Sequence, residues 1–203
     1  MNRQQRPLDR AGFFRSLRQT LGRLVDEFAG EYLEETAARL EQHFPLLIRP
    51  PGALPEESFL KTCRRCGECV RACPHFAIRV YFRSPSFFEK TPYLEPRESF
   101  CRMCEDFPCI RACPSGALQR PDKRLPRIGT ATVQEALCLN VSHPSATPCR
   151  ACVDICPGRF SALQAPEVGN RAPRVLVEAC SGCGACVSAC PARPDPAVCI
   201  VPR

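Results

Sequence analysis

Cys63-Arg-Arg-Cys66-Gly-Glu-Cys69-Val-Arg-Ala-Cys73-Pro74 is the stretch on which the reading of this chain turns, because its spacing recurs three times downstream. The second occurrence is Cys101-x2-Cys104-x4-Cys109-x3-Cys113-Pro114. The third is Cys138-x10-Cys149-x2-Cys152-x3-Cys156-Pro157, and the fourth is Cys180-x2-Cys183-x2-Cys186-x3-Cys190-Pro191. Four quartets account for every cysteine except Cys199. Each quartet ends in Cys-Pro and runs into a short apolar segment, at 77–80, 117–118, 162–163 and 198–201. Such segments are too short for helices and suit small strands.

Three thiolates separated by two residues can curl around three corners of one iron-sulfur cubane, while the fourth, before proline, has turned towards a second cluster. The first and fourth motifs have that form without change. Gly67, Gly182 and Gly184 lie inside these loops, where a missing side chain permits positive φ and lets amide N–H groups approach sulfur. Structural zinc uses cysteine pairs set apart by a long spacer, which does not match. Disulfides between such close neighbours would strain short loops. The predicted cofactor is four 4Fe-4S clusters, with Cys63, Cys66, Cys69, Cys73, Cys101, Cys104, Cys109, Cys113, Cys138, Cys149, Cys152, Cys156, Cys180, Cys183, Cys186 and Cys190 binding iron. In the third motif ten residues follow Cys138, so a site that omits Cys138 or recruits Cys199 is the alternative there. Otherwise Cys199 reads as a strand thiol. His75 and His143 read as surface or packing residues.

At 203 residues and 22 prolines the chain is too short and too interrupted for several independent apolar cores, so metal is expected to staple it. The formal charge of +7 counts the cysteines as neutral. Each oxidised cluster with four thiolates carries about −2, which brings the loaded protein near neutrality and argues against a nucleic-acid partner. Arg64, Arg65, Arg71, Arg102, Arg111 and Arg150 stand beside cysteines as countercharge. No Gly-rich nucleotide loop and no nucleophile-base set is present, so no catalytic residue is expected.

Residues 1–48 contain no cysteine. Phe14, Leu17, Leu21, Leu24 and Phe28 recur at helical spacing, which predicts an amphipathic arm that packs on the cluster region, docks on a partner or lies on an anionic membrane surface. Gly12-Phe-Phe-Arg15 has the look of a twin-arginine signal, but Arg10-Ala11 breaks the pair. Arg18, Arg23, Asp26, Glu27 and Glu31 occupy the place of its apolar core. The expectation is a cytoplasmic protein, with peripheral membrane contact left open to the arm. No apolar run is long enough to span a bilayer. Pro50, Pro51 and Pro55 predict a stiff linker over 49–60, ahead of the cluster region 61–203.

Residues 91–118 (Thr-Pro-Tyr-Leu-Glu-Pro-Arg-Glu-Ser-Phe-Cys-Arg-Met-Cys-Glu-Asp-Phe-Pro-Cys-Ile-Arg-Ala-Cys-Pro-Ser-Gly-Ala-Leu) resemble the NapG and MauM family of ferredoxin-type proteins. Arg49-Pro-Pro-Gly-Ala-Leu54, Cys138-Leu-Asn140 and Cys180-Ser-Gly-Cys-Gly184 fit the same family. The resemblance implies an α+β fold of two ferredoxin-like cluster domains with a helical arm. It also implies electron relay within or towards a multi-subunit oxidoreductase, between a quinol-side membrane subunit and a catalytic subunit. The N-terminus departs from that family and is similar to NapF, which binds an immature molybdenum-enzyme subunit, so a maturation role is the alternative. By resemblance to four-cluster subunits of molybdenum oxidoreductases the pairing is nested. The outer pair is 63–73 with 180–190, so that Cys190 joins Cys63, Cys66 and Cys69, and Cys73 joins Cys180, Cys183 and Cys186. The inner pair is 101–113 with 138–156, where Cys156 and Cys113 are exchanged in the same way. Sequential pairing of the motifs is the other arrangement.

Overall fold

The computed structural model describes residues 46–83, 86–121, 126–145, 147–166 and 171–202. All belong to one compact unit, Leu46–Arg203. The amphipathic arm expected over residues 1–48 lies almost wholly outside the described residues.

Elements are short because a cysteine, proline or glycine interrupts nearly every run. Helix α1 (Glu56–Thr62) begins behind Pro55, carries Glu56 and Glu57 in its first turn and Lys61 in its last, and buries Phe59. That charge order suits the helix dipole. Four further helices each start one residue before the third cysteine of a motif. They are α2 (Glu68–Arg71), α3 (Pro108–Arg111), α5 (Ala151–Asp154) and α6 (Ala185–Ala189). A further short helix, α4 (Leu139–Ser142), lies in the long loop of the third motif.

Gly67 and Gly184, at the starts of α2 and α6, have φ of +75° and +84°. This is the left-handed conformation expected of them, and glycine adopts it without steric penalty. In the second motif Phe107 takes that role at φ +43°, followed by Pro108 at the first helical position. The two extra residues of its x4 spacer are used in this turn.

Strand pairs close each half. β1 (Ile78–Val80) runs antiparallel to β2 (Pro92–Leu94), with Ile78 opposite Leu94. β3 (Gly129–Val133) pairs β6 (Val198–Pro202), with Ala131 opposite Ile200. β4 (Leu163–Gln164) pairs β5 (Arg174–Val175), Leu163 facing Val175. Three of the four apolar segments after Cys-Pro are thus strands. The one at 117–118 forms only a single bridge, Leu118 to Ala53.

The segment expected as a linker, 49–60, is instead part of the first half. Ile48 bridges to Leu94 and Ala53 to Leu118, which makes it an extra edge on that half. Pro50 and Pro51 are fully buried there. Arg49, 7% exposed, is accommodated by Glu56, by the hydroxyl of Thr91 at 2.9 Å and by the carbonyl of Pro92 at 2.8 Å. A buried guanidinium whose donors are taken up this way is no longer a solvation penalty that would drive the segment out.

One apolar core surrounds the first two motifs, with Phe59, Ile78, Leu94, Met103, Phe107 and Leu118. Another surrounds the last two, with Ala131, Leu163, Val187, Val198 and Ile200. They meet where the chain around Pro96 and Cys101 lies against 181–184: the Cys101 amide donates to the Cys183 carbonyl, 3.0 Å. A Cβ added to Gly184 would stand 2.6 Å from the Pro96 side chain, so the close approach requires glycine.

Candidate metal centres

Four cavities of about 310 to 340 Å³, including space open to solvent, lie inside the unit, and each is lined by four cysteines. Cys63, Cys66 and Cys69 share theirs with Cys113. Cys101, Cys104 and Cys109 share theirs with Cys73. Cys138, Cys149 and Cys152 meet Cys190, and Cys180, Cys183 and Cys186 meet Cys156. The sixteen patterned cysteines are therefore all brought together, in fours.

The exchange runs between neighbouring motifs, the first with the second and the third with the fourth, and not in the nested order. Cys190 lies with the third motif rather than with Cys63, and Cys113 lies with the first rather than with Cys138. The cause is local. The chain turns back after the first Cys-Pro of each half through a hairpin, β1 to β2 in the first half and the β4–β5 pair in the second. The next motif therefore folds directly onto the one before it. Cys138 lines its cavity and is 8% exposed despite the long spacer. Cys199 lines none of the four and sits on β6 with its sulfur 2.9 Å from the Thr132 hydroxyl. Of the histidines, His75 lies exposed at the margin of one cavity. His143 is exposed and pairs with the Ser142 hydroxyl.

Among the described residues no three His, Cys, Asp or Glu side chains converge on a point that could hold a single ion. Tetrahedral zinc would demand such a point, with sulfur about 2.3 Å from it. A cubane does not, because each thiolate binds its own iron corner and the four sulfurs surround a body.

The surroundings suit thiolates that are held by positive charge. Burial first, then the charges of Cys63, Cys113, Cys109 and Cys66, push the Cys69 thiol up to about 12. Cys101 is pushed to about 12, again chiefly by burial. Cys109 and Cys152 go to about 11 for the same reason. Cys186 is driven further up by burial and by Cys183 and Cys180. Four such groups cannot ionise together unless cationic charge enters among them. Backbone amides offset part of this penalty. Ala77 donates to Cys73 sulfur at 3.4 Å, Leu118 to Cys113 at 3.4 Å, Ala131 to Cys180 at 3.3 Å and Ala197 to Cys190 at 3.3 Å. At Cys113, burial acts upward but is outweighed by the donors at Leu118 and Ser115, and the thiol falls below its ordinary value. The buried Ser181 hydroxyl lines a cavity beside Cys183 and, as a donor to that thiol, offsets part of the rise that burial imposes on it. The residues present fit an iron-sulfur cubane in each place.

Asn140 explains the ten-residue spacer. Its side-chain amide donates to the Cys149 carbonyl at 3.0 Å and accepts from the Cys149 amide at 2.6 Å. This closes the loop and returns Cys149 to the position that a x2 spacer reaches directly. The only sequence signal was a polar residue two positions after Cys138; its burial, to 3% exposure, is visible only in the structure.

A family model described as "4Fe-4S dicluster domain" matches residues 62–117 and again 147–193, which are the same two halves. The chain is 34% identical over 196 residues to ferredoxin-type protein NapG of Escherichia coli, covering 91% of this chain and 82% of that protein. It is 43% identical over 145 residues to methylamine utilization ferredoxin-type protein MauM of Paracoccus denitrificans. The chain belongs to the NapG/MauM family of ferredoxin-type 4Fe-4S proteins.

The MauM alignment spans 68% of this chain and 63% of the relative, somewhat under two thirds of it. A polyferredoxin-like subunit of an aliphatic sulfonate oxidoreductase from Pyrococcus furiosus is 32% identical over 82 residues, 40% of this chain and 38% of that one. No solved structure matches. The relatives are named as ferredoxin-type proteins, and the dicluster match makes this chain a ferredoxin-type 4Fe-4S protein. Among the described residues no helix is long and apolar enough to cross a membrane.

Proposed function

We propose that the sixteen cysteines hold four 4Fe-4S clusters in a row and that the chain relays single electrons along it, within or towards a multi-subunit oxidoreductase. The donor would be a quinol-side membrane subunit and the acceptor a redox enzyme. The observation that carries this reading is that four cavities take four cysteines each, with none left over in the motifs.

The order of the row follows from which thiols lie near enough for their charges to interact. Cys69 of the first cavity senses Cys109 of the second. Cys101 of the second senses Cys183 of the third. Cys186 of the third senses Cys152 of the fourth. Each of these cross-cavity pairs joins consecutive cavities, which puts the Cys66 site and the Cys149 site at the ends of the proposed row. When loaded, such clusters supply one-electron chemistry. The protein's part is to bury them, aim amides at their sulfurs and keep them close.

Anaerobic loading followed by iron and sulfide analysis tests this. About sixteen irons per chain are expected for four cubanes. A value near half of that, or tight binding of zinc in place of iron, would overturn the four-cluster reading.

A further inference from the structure

The two ends of the row differ. Of the seventeen cysteines Cys66 alone is exposed, and it lines a terminal cavity. At the other end Cys138, Cys152 and Cys190 are buried, Cys149 is half-buried, and no charged side chain lines the cavity.

Arg64 and Arg65 line the Cys66 cavity, and both are exposed. The other arginines beside the motifs are largely spoken for: Arg71 pairs with Glu68, Arg111 with Asp106 and Arg150 with Asp154, while Arg102 lies over the Phe100 ring. Arg64 and Arg65 have no carboxylate partner among the described residues. Arg65 is held in place by backbone alone, donating to the carbonyls of Phe87 at 3.1 Å and Glu89 at 3.2 Å. That contact sets Phe87, 44% exposed, beside the cations. The result is an exposed cysteine of a terminal site, bordered by an aromatic edge and by two guanidinium groups that no carboxylate among the described residues neutralises.

We propose that this face, around Cys66 and bounded by Arg64, Arg65 and Phe87, is where electrons cross to a partner protein, and that the partner presents carboxylates there. The inference rests on the four-cluster reading and adds the place and the chemistry of contact. Charge complementarity of this kind raises the encounter rate more than the lifetime of the complex. It acts over roughly 8 Å at physiological ionic strength and vanishes in strong salt. A small apolar edge suits a transient contact, since electron-transfer complexes bury little area.

The test uses the full-length, iron-loaded protein and reduced flavodoxin, an acidic one-electron carrier, as the probe in stopped-flow mixing. Wild type should react fastest at low ionic strength and slow as salt is added. Arg64→Gln with Arg65→Gln should react several-fold more slowly at low salt and merge with wild type at about 1 M salt, where screening is nearly complete. A rate that rises with salt, or does not change with it, would overturn the proposal, as would residues 1–45 covering the face. A deficit that persists undiminished in strong salt would also overturn it, because the arginines would then be acting on cluster potential, which a redox titration of the same variant measures. Iron content separates the two readings: a variant and wild type that both lack four clusters refute the relay, whereas full loading with no salt effect refutes only the docking face.

Discussion

The backbone amide of Cys101 donates to the carbonyl of Cys183 at 3.0 Å, so a residue lining the second cavity is joined by one hydrogen bond to a residue lining the third. This bond lies in the seam between the two dicluster halves, which the Arg159 guanidinium also crosses to the carbonyls of Arg102 and Met103, and the close approach here depends on the absence of a side chain at Gly184. An alanine there would place its Cβ 2.6 Å from one ring carbon of Pro96 and 2.8 Å from the next. It would also occupy a φ of +84°, which costs an L-residue roughly 1–2 kcal/mol. Gly184→Ala is expected to retain full iron loading, to weaken the magnetic interaction between reduced inner clusters, and to slow electron equilibration between halves. Paramagnetic resonance of the reduced protein measures the first effect and flash reduction the second. An unaltered spectrum with an unaltered rate would mean that the seam is not the crossing point.

Sequential pairing makes a sharp prediction for the cysteines before proline. Cys190→Ser should disable the site of Cys138, Cys149 and Cys152 and leave that of Cys63, Cys66 and Cys69 intact. Under nested pairing the damage would fall on the Cys63 site instead. Loss of one cluster signal, compared with the signal lost in Cys66→Ser, distinguishes the two. Cys199→Ser should change no cluster, because that sulfur lines none of the cavities and already bonds the Thr132 hydroxyl.

Asn140 holds Cys149 through both its amide and its carbonyl. Asn140→Ala removes two hydrogen bonds, each contributing about 1 kcal/mol net, and leaves the part-buried backbone groups of Cys149 without these partners. The long loop should then loosen, with selective loss of the fourth cluster of the row on exposure to a chelator. Asn140→Asp keeps the acceptor for the Cys149 amide and should fall between the two. Equal chelator sensitivity in all three proteins would remove Asn140 from this role.

Arg49 is nearly buried, bonds Thr91 and Pro92, pairs with Glu56 and lies 4.7 Å from the Phe59 ring centroid. Arg49→Ala should destabilise the first half by about 2–4 kcal/mol, since hydrogen bonds to a charged group are among the stronger ones and the cavity left behind adds to the loss. Thermal unfolding of the loaded protein measures it. A change within about 0.5 kcal/mol would be the surface result and would contradict the packing.

Iron removal carries a proton signature. Cys69 and Cys109, pushed to about 12 and about 11 in the iron-free fold, must lose protons to bind metal and regain them when it leaves. Loss of iron should therefore take up protons at neutral pH, and acid should accelerate it. For the iron-free fold the sign is opposite. A folded pKa above the ordinary 9.0 stabilises below about pH 9, and that stability is lost as pH rises from 9 towards 12. Titration in weak buffer during chelation detects the uptake, and release of protons would contradict it.

Much of this protein is legible in its sequence because cubane ligation is a local demand. The spacing of Cys63, Cys66 and Cys69 places three thiolates within one turn of chain, and Gly67 and Gly184 announce the left-handed residues that start the helices. Nothing local says where Cys73 goes after the proline, since its partners lie some thirty residues away in the chain and are chosen by the hairpin of β1 and β2. For the same reason the burial of Arg49 and its prolines was not legible: a proline-rich stretch reads as a spacer until Leu94 and Leu118 are found beside it. The sequence by itself determined the metal chemistry, the sixteen ligand positions now proposed and the family. Only the tertiary structure decided which motif completes which site, how Asn140 shortens a ten-residue detour, and that Cys66 is the one cysteine left open to solvent. Ligand spacing is written along the backbone, whereas pairing and exposure depend on what the rest of the chain folds against.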